Sequence, residues 1–144
     1  MAMIAMLVGL VSLNLFGLQQ RSSLTQVVDT LISDLESQQT KAMTGVMTNG
    51  EIPYGYGIYF DTNRYILFSG ASYNAGSPSN AAVTVNSPVS IVSVSFPGRT
   101  VLFASVSGEL SGYVAGQDGV TLQTTGGQMK TIQLNTYGVI TSVQ

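Results

Sequence analysis

The chain opens on an apolar stretch with no charged side chain, Met1–Leu18, and its first charged residue follows at position 21. The stretch is slightly shorter than the about 20 apolar residues with which a helix spans a bilayer. Ser12 and Asn14 lie in its second half, and polar groups in such helices usually face other helices rather than lipid. Gly9 and Gly17 permit close approach or local unwinding. The pattern predicts an apolar helix that packs beside other helices.

A cleaved signal peptide fits this opening poorly. Signal peptides begin with a basic region and end at a small-residue cleavage site. No basic residue precedes the apolar run, and the sequence at its end, FGLQ over residues 16–19, is a poor cleavage site. A membrane anchor and the buried shaft of an assembly therefore remain the two main interpretations.

Apolar residues continue at steps of three and four after the first charge, which marks one face of a helix. They are Leu24, Val27, Val28, Leu31, Ile32, Leu35, Ala42, Met43, Val46 and Met47. Acidic residues at 29, 34 and 36 fall mostly off this stripe, which predicts a solvated face. One helix over residues 1–47 and two helices, broken near Gly17 and capped by Ser22 or Ser23, both fit the pattern. The sequence TNG at 48–50 predicts the turn that ends the helix.

From Glu51 onward the apolar residues alternate with polar ones, which is typical of half-buried strands. Seven strands are predicted, over residues 57–60, 64–68, 89–96, 100–104, 119–124, 129–135 and 138–143. A loop rich in Ser, Asn, Ala and Gly covers residues 69–82, and its length of 14 residues indicates a functional or mobile segment. From it we choose Tyr73, Asn74, Ser77 and Asn80 as candidates for surface contacts.

These patterns predict an α+β fold, in which a long N-terminal helix, apolar and then amphipathic, packs on a small antiparallel β-sheet domain of about seven strands. Residues 1–50 form the helical part, with an apolar anchor or shaft at 1–20 and an amphipathic half at 21–47. Residues 51–144 form the sheet domain. The side chains expected to pack the helix on the sheet are Leu24, Val28, Leu31 and Leu35.

Composition narrows the chemistry that the chain can perform. Only 8% of its 144 residues are charged, against about 25% in an average domain. It has no cysteine and no histidine, so disulfides, thiolate metal sites and histidine catalysis are excluded. Five scattered basic residues form no patch for nucleic acid. Asp61-Thr62-Asn63 fits a hairpin turn better than a calcium site. We therefore expect no cofactor, no metal and no enzymatic activity.

Several motifs, taken in order, resemble the type IV pilin and type II secretion pseudopilin family, and most closely its H-type pseudopilin and minor-pilin branch. The helix has Leu31-Ile32-Ser33-Asp34-Leu35 followed by Lys41-Ala42-Met43, and a Tyr/Gly-rich strand follows as Tyr56-Gly57-Ile58-Tyr59-Phe60. Val101-Leu102-Phe103 precedes Gly108, and Gly126-Gly127 precedes the last strand, Tyr137-Gly138-Val139-Ile140. The resemblance covers nearly the whole chain and implies a pilin fold.

Two features depart from the family pattern. The hallmark start, a cleavage-site Gly followed by Phe-Thr/Ser-Leu-Ile-Glu, is missing. Aligning Gly9 with the glycine usual in the apolar segment places Met1 just after the hallmark Glu, so we expect about five further residues before it in the mature protein. DNA-uptake members also have basic residues in the last strand, whereas here Gly138 is followed by Val139 and no basic residue follows Lys130. DNA binding is therefore not expected.

The resemblance implies a structural subunit of a helical filament at the cell surface, held in the cytoplasmic (inner) membrane before assembly and partnered by its own copies, other pilins and the pilus assembly machinery. Adhesion, motility or surface attachment would follow. The residues expected to pack in the filament core are Met1, Ile4, Leu7, Val8, Gly9, Val11, Ser12, Asn14, Leu15 and Gly17. A minor pseudopilin of a type II secretion system and a monomeric surface binding protein with one anchor are the alternatives.

Overall fold

The computed structural model describes the backbone of residues 2–144 and the side chains of residues 17–144, and within this part it contains one α-helix and eight β-strands. The helix is α1, Ala2–Thr44. The strands are β1 Gly55–Phe60, β2 Arg64–Ser69, β3 Ala81–Thr84, β4 Val89–Val94, β5 Thr100–Ala104, β6 Gly119–Thr124, β7 Met129–Leu134 and β8 Ile140–Val143. A short 3₁₀ turn, Pro97–Arg99, precedes β5.

α1 is continuous, so the alternative with a break near Gly17 is wrong. Ser23 lies inside the helix, where its hydroxyl donates to the carbonyl of Gln19 at 3.0 Å, and it therefore caps no helix start. A serine hydroxyl that returns its hydrogen bond to the preceding turn is compatible with an uninterrupted helix.

α1 ends at Thr44, three residues before the predicted end. Gly45 has φ +62°, and its N–H donates to Ala42 while the N–H of Val46 donates to Lys41. These two bonds form a Schellman motif, which glycine favours because it adopts positive φ without strain. The predicted Asn49-Gly50 turn is present four residues further on, between backbone bonds that join Thr48 and Glu51 in both directions. It is a separate tight turn and does not end the helix.

The strands form two antiparallel sheets of four strands each, rather than one sheet of seven. The first sheet has the order β3-β2-β1-β5, and the second has the order β4-β6-β7-β8. The strand that the sequence pattern missed is β3, which lies at the edge of the first sheet and is mostly exposed. β3 is only four residues long and Val83 is its one half-buried residue, so it lacks the alternation that marks the other seven.

α1 packs on both sheets, and one hydrophobic core lies between the helix and the strands. Aromatic side chains meet in it, including Phe60 of β1, whose ring stacks on that of Phe96, just before the 3₁₀ turn, with centroids 6.2 Å apart. Leu122, Ile132 and Leu134 of the second sheet are fully buried in the same core. The α+β class and the packing of a long N-terminal helix on antiparallel strands are thus confirmed.

Candidate functional site

The half of α1 that follows Gln20 forms the contact between the helix and the two sheets. Leu24, Val28, Leu31 and Leu35, the residues predicted to pack there, are all almost completely buried. They recur at alternating steps of four and three, which keeps them on one face of the helix. Ala42 extends the same face to the last turn and is also fully buried.

The predicted stripe fails at its C-terminal end. Met43, Val46 and Met47 are exposed, although the pattern assigned them to the packed face. Met43 lies one position past the buried Ala42 around the helix, and the other two follow the turn at Gly45, where helical spacing no longer applies. These three side chains are therefore available to contacts outside the domain.

Gln38 is a buried residue of the helix face that the sequence pattern missed. Its side-chain amide donates to the carbonyl of Gly57 in β1 at 2.8 Å and to that of Phe68 in β2 at 3.3 Å. Lys41 donates to the amide oxygen of Gln38 at 3.3 Å. Gln38 lies three residues after Leu35, and this spacing places it on the buried face of the helix. It was missed because the predicted face was defined by apolar residues and glutamine is polar.

Asp34 joins the helix to the first sheet and is not simply a solvated acid, as the sequence pattern predicted. Its carboxylate accepts a hydrogen bond of 2.6 Å from the hydroxyl of Tyr65 in β2. Burial, and after it this carboxylate, raises the pKa of Tyr65 well above its ordinary value of 10.0. A short bond between a hydroxyl and a carboxylate is among the stronger hydrogen bonds in proteins.

The last turns of α1 are held against two loops by Gln39. Its amide donates to the carbonyl of Gly108 at 3.0 Å and to that of Tyr137 at 2.8 Å. Gly138 lies against Gln39 and Phe103, with φ +75° and no room for a Cβ atom. A glycine is required there because both the backbone angle and the close packing exclude a side chain.

The domain does not cover the helix at Gly17 and Leu18. A Cβ atom added at Gly17 would meet nothing within 4 Å, and Leu18 is 59% exposed. Of the residues predicted for the filament core, Gly17 is the one whose surroundings the structure describes. Met1 and the side chains of Ile4, Leu7, Val8, Gly9, Val11, Ser12, Asn14 and Leu15 lie outside the described part.

The predicted surface loop is folded onto the outer face of the first sheet. Tyr73 is partly buried and stacks on Tyr59, with ring centroids 4.2 Å apart. Ser77 and Asn80 are also partly buried, and the amide of Asn80 donates to the carbonyl of Asn74 at 2.7 Å. Of the four residues chosen for surface contacts, Asn74 is the exposed one.

Asp61 supports the hairpin between β1 and β2. Its carboxylate accepts from the N–H of Thr62 at 2.8 Å and pairs with Arg64 at 3.0 Å. The bond from Thr62, followed by that from Arg64, lowers the pKa of Asp61 below its ordinary value. Both carboxylate oxygens are thus engaged within the turn. Among the described residues, no group of three acidic side chains is placed to hold a metal ion.

A groove of about 270 Å³ lies between α1 and the segment 83–89, and Tyr65 is the one titratable residue among the described side chains that line it. The arrangement therefore brings no acid and base together in this groove. The described residues also include no helix with the length and apolarity that a membrane crossing requires. Compared with known protein families, with curated proteins and with solved structures, the chain gives no match.

Proposed function

We propose that this protein is a structural subunit of a type IV pilus-like filament with the pilin fold. In this proposal the apolar helices of many copies pack together as the filament shaft, and the two sheets of each copy form the outer surface. The protein is held in the cytoplasmic membrane before assembly and works with other pilins and the assembly machinery. The filament serves adhesion, motility or surface attachment, and the protein is not an enzyme.

The observation that carries the proposal is the division of α1 into two parts. One face of the part from Leu24 to Ala42 is buried on the sheets, whereas Leu18 is exposed and a Cβ atom added at Gly17 would meet none of the described atoms within 4 Å. The sequence before Leu18 is apolar and uncharged. Exposure of this apolar segment to water is unfavourable, so either lipid or other helices must cover it.

Packing between copies suits this segment for two further reasons. Ser12 and Asn14 gain partners in a helix bundle that lipid does not offer. Transfer from lipid to a bundle also changes the apolar environment little, because both are hydrocarbon-like. The remaining helix contacts both sheets, and the segment continues directly from it because α1 is uninterrupted.

Electron microscopy of filaments sheared from the source cells, with mass spectrometry of the purified fraction, tests the proposal. Abundant thin filaments made mainly of this chain are expected, and the N-terminal peptide identifies any residues that precede Met1. A chain found only in traces beside other subunits indicates a minor pseudopilin of a secretion system. A chain that stays as a monomer in the membrane fraction contradicts the filament and indicates a singly anchored binding protein.

A further inference from the structure

Six exposed apolar side chains lie together where α1 ends, and we refer to them as the tip patch. They are between 43% and 79% exposed, and they are Met43, Val46, Met47, Ile52, Tyr54 and Val106. Charged residues lie within three positions of them in the sequence, at 41, 51 and 109. An exposed apolar patch with a polar rim is typical of a surface that binds another protein.

Backbone contacts bring the three chain segments of the tip patch together. The N–H of Val106 donates to the carbonyl of Ala42 at 2.9 Å, directly before Met43. The N–H of Ser105 donates to the carbonyl of Tyr54 at 3.0 Å. The side chain of Ile52 lies beside Gly45, at the turn that ends α1. The patch is therefore held by the fold and is not a chance collection of loop residues.

Val106 is exposed to solvent and has a strained backbone conformation. It is the most exposed large apolar residue among the described side chains, at 79%, and has φ +77°. A β-branched residue at positive φ is a rare outlier, and such strain concentrates at functional sites. Neither burial nor a turn preference explains a valine there, because glycine or asparagine fits the backbone better.

The tip patch and the apolar segment of residues 1–18 lie at opposite ends of one helix. Leu18 and Met43 are 25 residues apart in α1, which is roughly 38 Å at a rise of 1.5 Å per residue. Since the helix is continuous, the segment of one copy cannot reach the tip patch of the same copy. Both surfaces are apolar, and the segment has no charge that the patch would have to accommodate.

We propose that the tip patch binds residues 1–18 of a second copy of this chain. The proposal deepens the filament function, on which it rests, by naming a contact along the filament in addition to helix packing in the shaft. A contact between two different surfaces of identical copies is heterologous, and repetition of it without ring closure produces a filament. A contact between two tip patches would be isologous and would close into a dimer, so it could not repeat along a filament.

Cysteine crosslinking tests the proposed contact, because the chain has no native cysteine. Full chains with Val106→Cys are mixed with full chains that carry one cysteine at each position from 3 to 18 in turn. Detergent is diluted below its critical micelle concentration before a short crosslinker is added. Val92→Cys is the control, because Val92 is also apolar and exposed but lies in β4, outside the tip patch.

Crosslinks between Val106→Cys and the segment are expected, with yields that recur every three to four positions as one helix face meets the patch. The proposal is overturned if Val106→Cys links only to itself, links to nothing, or links no better than Val92→Cys. Electron microscopy of the same samples separates the two proposals. Filaments without these crosslinks overturn the tip contact alone, whereas crosslinked closed dimers without filaments contradict the filament function and leave the contact in place.

Val106→Asp gives a second test with little risk to the fold, because aspartate tolerates positive φ better than valine. We expect self-association of the full chain to weaken at least about tenfold, since burial of one valine contributes that much or more. Val92→Asp should leave association unchanged. Equal association of Val106→Asp and the unmodified chain, measured by sedimentation at matched concentration, overturns the proposal.

Discussion

Val106 differs from the other non-glycine residues with positive φ in the described chain. Asn49 lies in a tight turn that favours asparagine, and Arg99 closes the 3₁₀ turn. Val106 has neither explanation for its φ of +77°, and its side chain gains little from burial. Its conformation therefore reduces the stability of the isolated subunit while it displays an apolar group.

Val106→Gly should stabilise the folded subunit. A positive φ destabilises a non-glycine residue by about 1–2 kcal/mol, and glycine would relieve this strain in the folded state. The greater conformational freedom of glycine in the unfolded chain offsets part of that stabilisation. We expect the free energy of unfolding in urea to rise by about 0.5–1 kcal/mol. Val92→Gly, at an exposed strand position of ordinary φ, should lower it by a similar amount. A destabilised Val106→Gly would show that the side chain supports the fold.

Tyr65 links stability to pH through the burial of its hydroxyl and, after it, the bond to Asp34. Its pKa is raised in the folded state above the ordinary value near 10, so the stabilisation is fully present below pH 10. It is lost as the pH rises further, by about 1.4 kcal/mol per pH unit, because the unfolded chain releases the proton first. Tyr65→Phe should lower stability at pH 7 by about 1–2 kcal/mol and flatten this alkaline loss.

Urea unfolding of both forms between pH 7 and 11.5 checks this expectation. Tyr137→Phe is the matched control, because Tyr137 is exposed and its substitution should change the free energy of unfolding at pH 7 by less than about 0.5 kcal/mol. If Tyr65→Phe shows the same alkaline loss as the unmodified chain, the buried hydroxyl of Tyr65 does not link stability to pH.

At the scale of elements, the interface between α1 and the first sheet depends on a polar contact inside an apolar stripe. Gln38 satisfies carbonyls of both β1 and β2, so it fixes the position of the helix along the two strands. Gln39 and Asp34 add bonds on either side of the stripe. Apolar packing alone would leave the helix freer to shift along the sheet, because it is not directional.

Gln38→Ala should therefore destabilise the folded protein. It removes two buried hydrogen bonds and leaves a cavity, which together reduce the free energy of unfolding by about 2–4 kcal/mol. Gln26→Ala is the control at an exposed glutamine of the same helix and should change it by less than about 0.5 kcal/mol. Thermal or urea unfolding distinguishes the two. Equal effects of both substitutions would show that the amide of Gln38 is dispensable.

The spacing of apolar residues along the sequence predicted most of the helix and strands, because residues on a buried face recur at regular intervals. Leu24 to Leu35 mark the helix, and alternating residues mark seven of the eight strands. What the pattern missed depends on distant contacts. β3 is recognisable only through its pairing with β2, and the burial of Tyr73 only through its stacking on Tyr59. The division into two sheets likewise follows from long-range pairing that no local period encodes.

In the whole molecule, two apolar surfaces lie at opposite ends of one helix. The two sheets bury one face of the helix from Leu24 to Ala42 but leave Leu18 exposed at one end and Met43 at the other. Such a subunit gains apolar burial mainly through contact with further copies, and a head-to-tail arrangement extends without limit. The apolar segment of residues 1–18 is central, because both proposed contacts require it to be covered by protein.

The most direct test of this claim places a charge in that segment. Asn14→Asp should abolish filaments in cells of the source organism, because an unpaired charge buried among helices is unfavourable by about 3–5 kcal/mol. Asn74→Asp makes the same chemical change on the exposed loop and should leave the filament yield unchanged. Filament yield is read by electron microscopy and quantitative blotting at equal cellular amounts of the chain. Normal yield from Asn14→Asp would contradict the buried shaft.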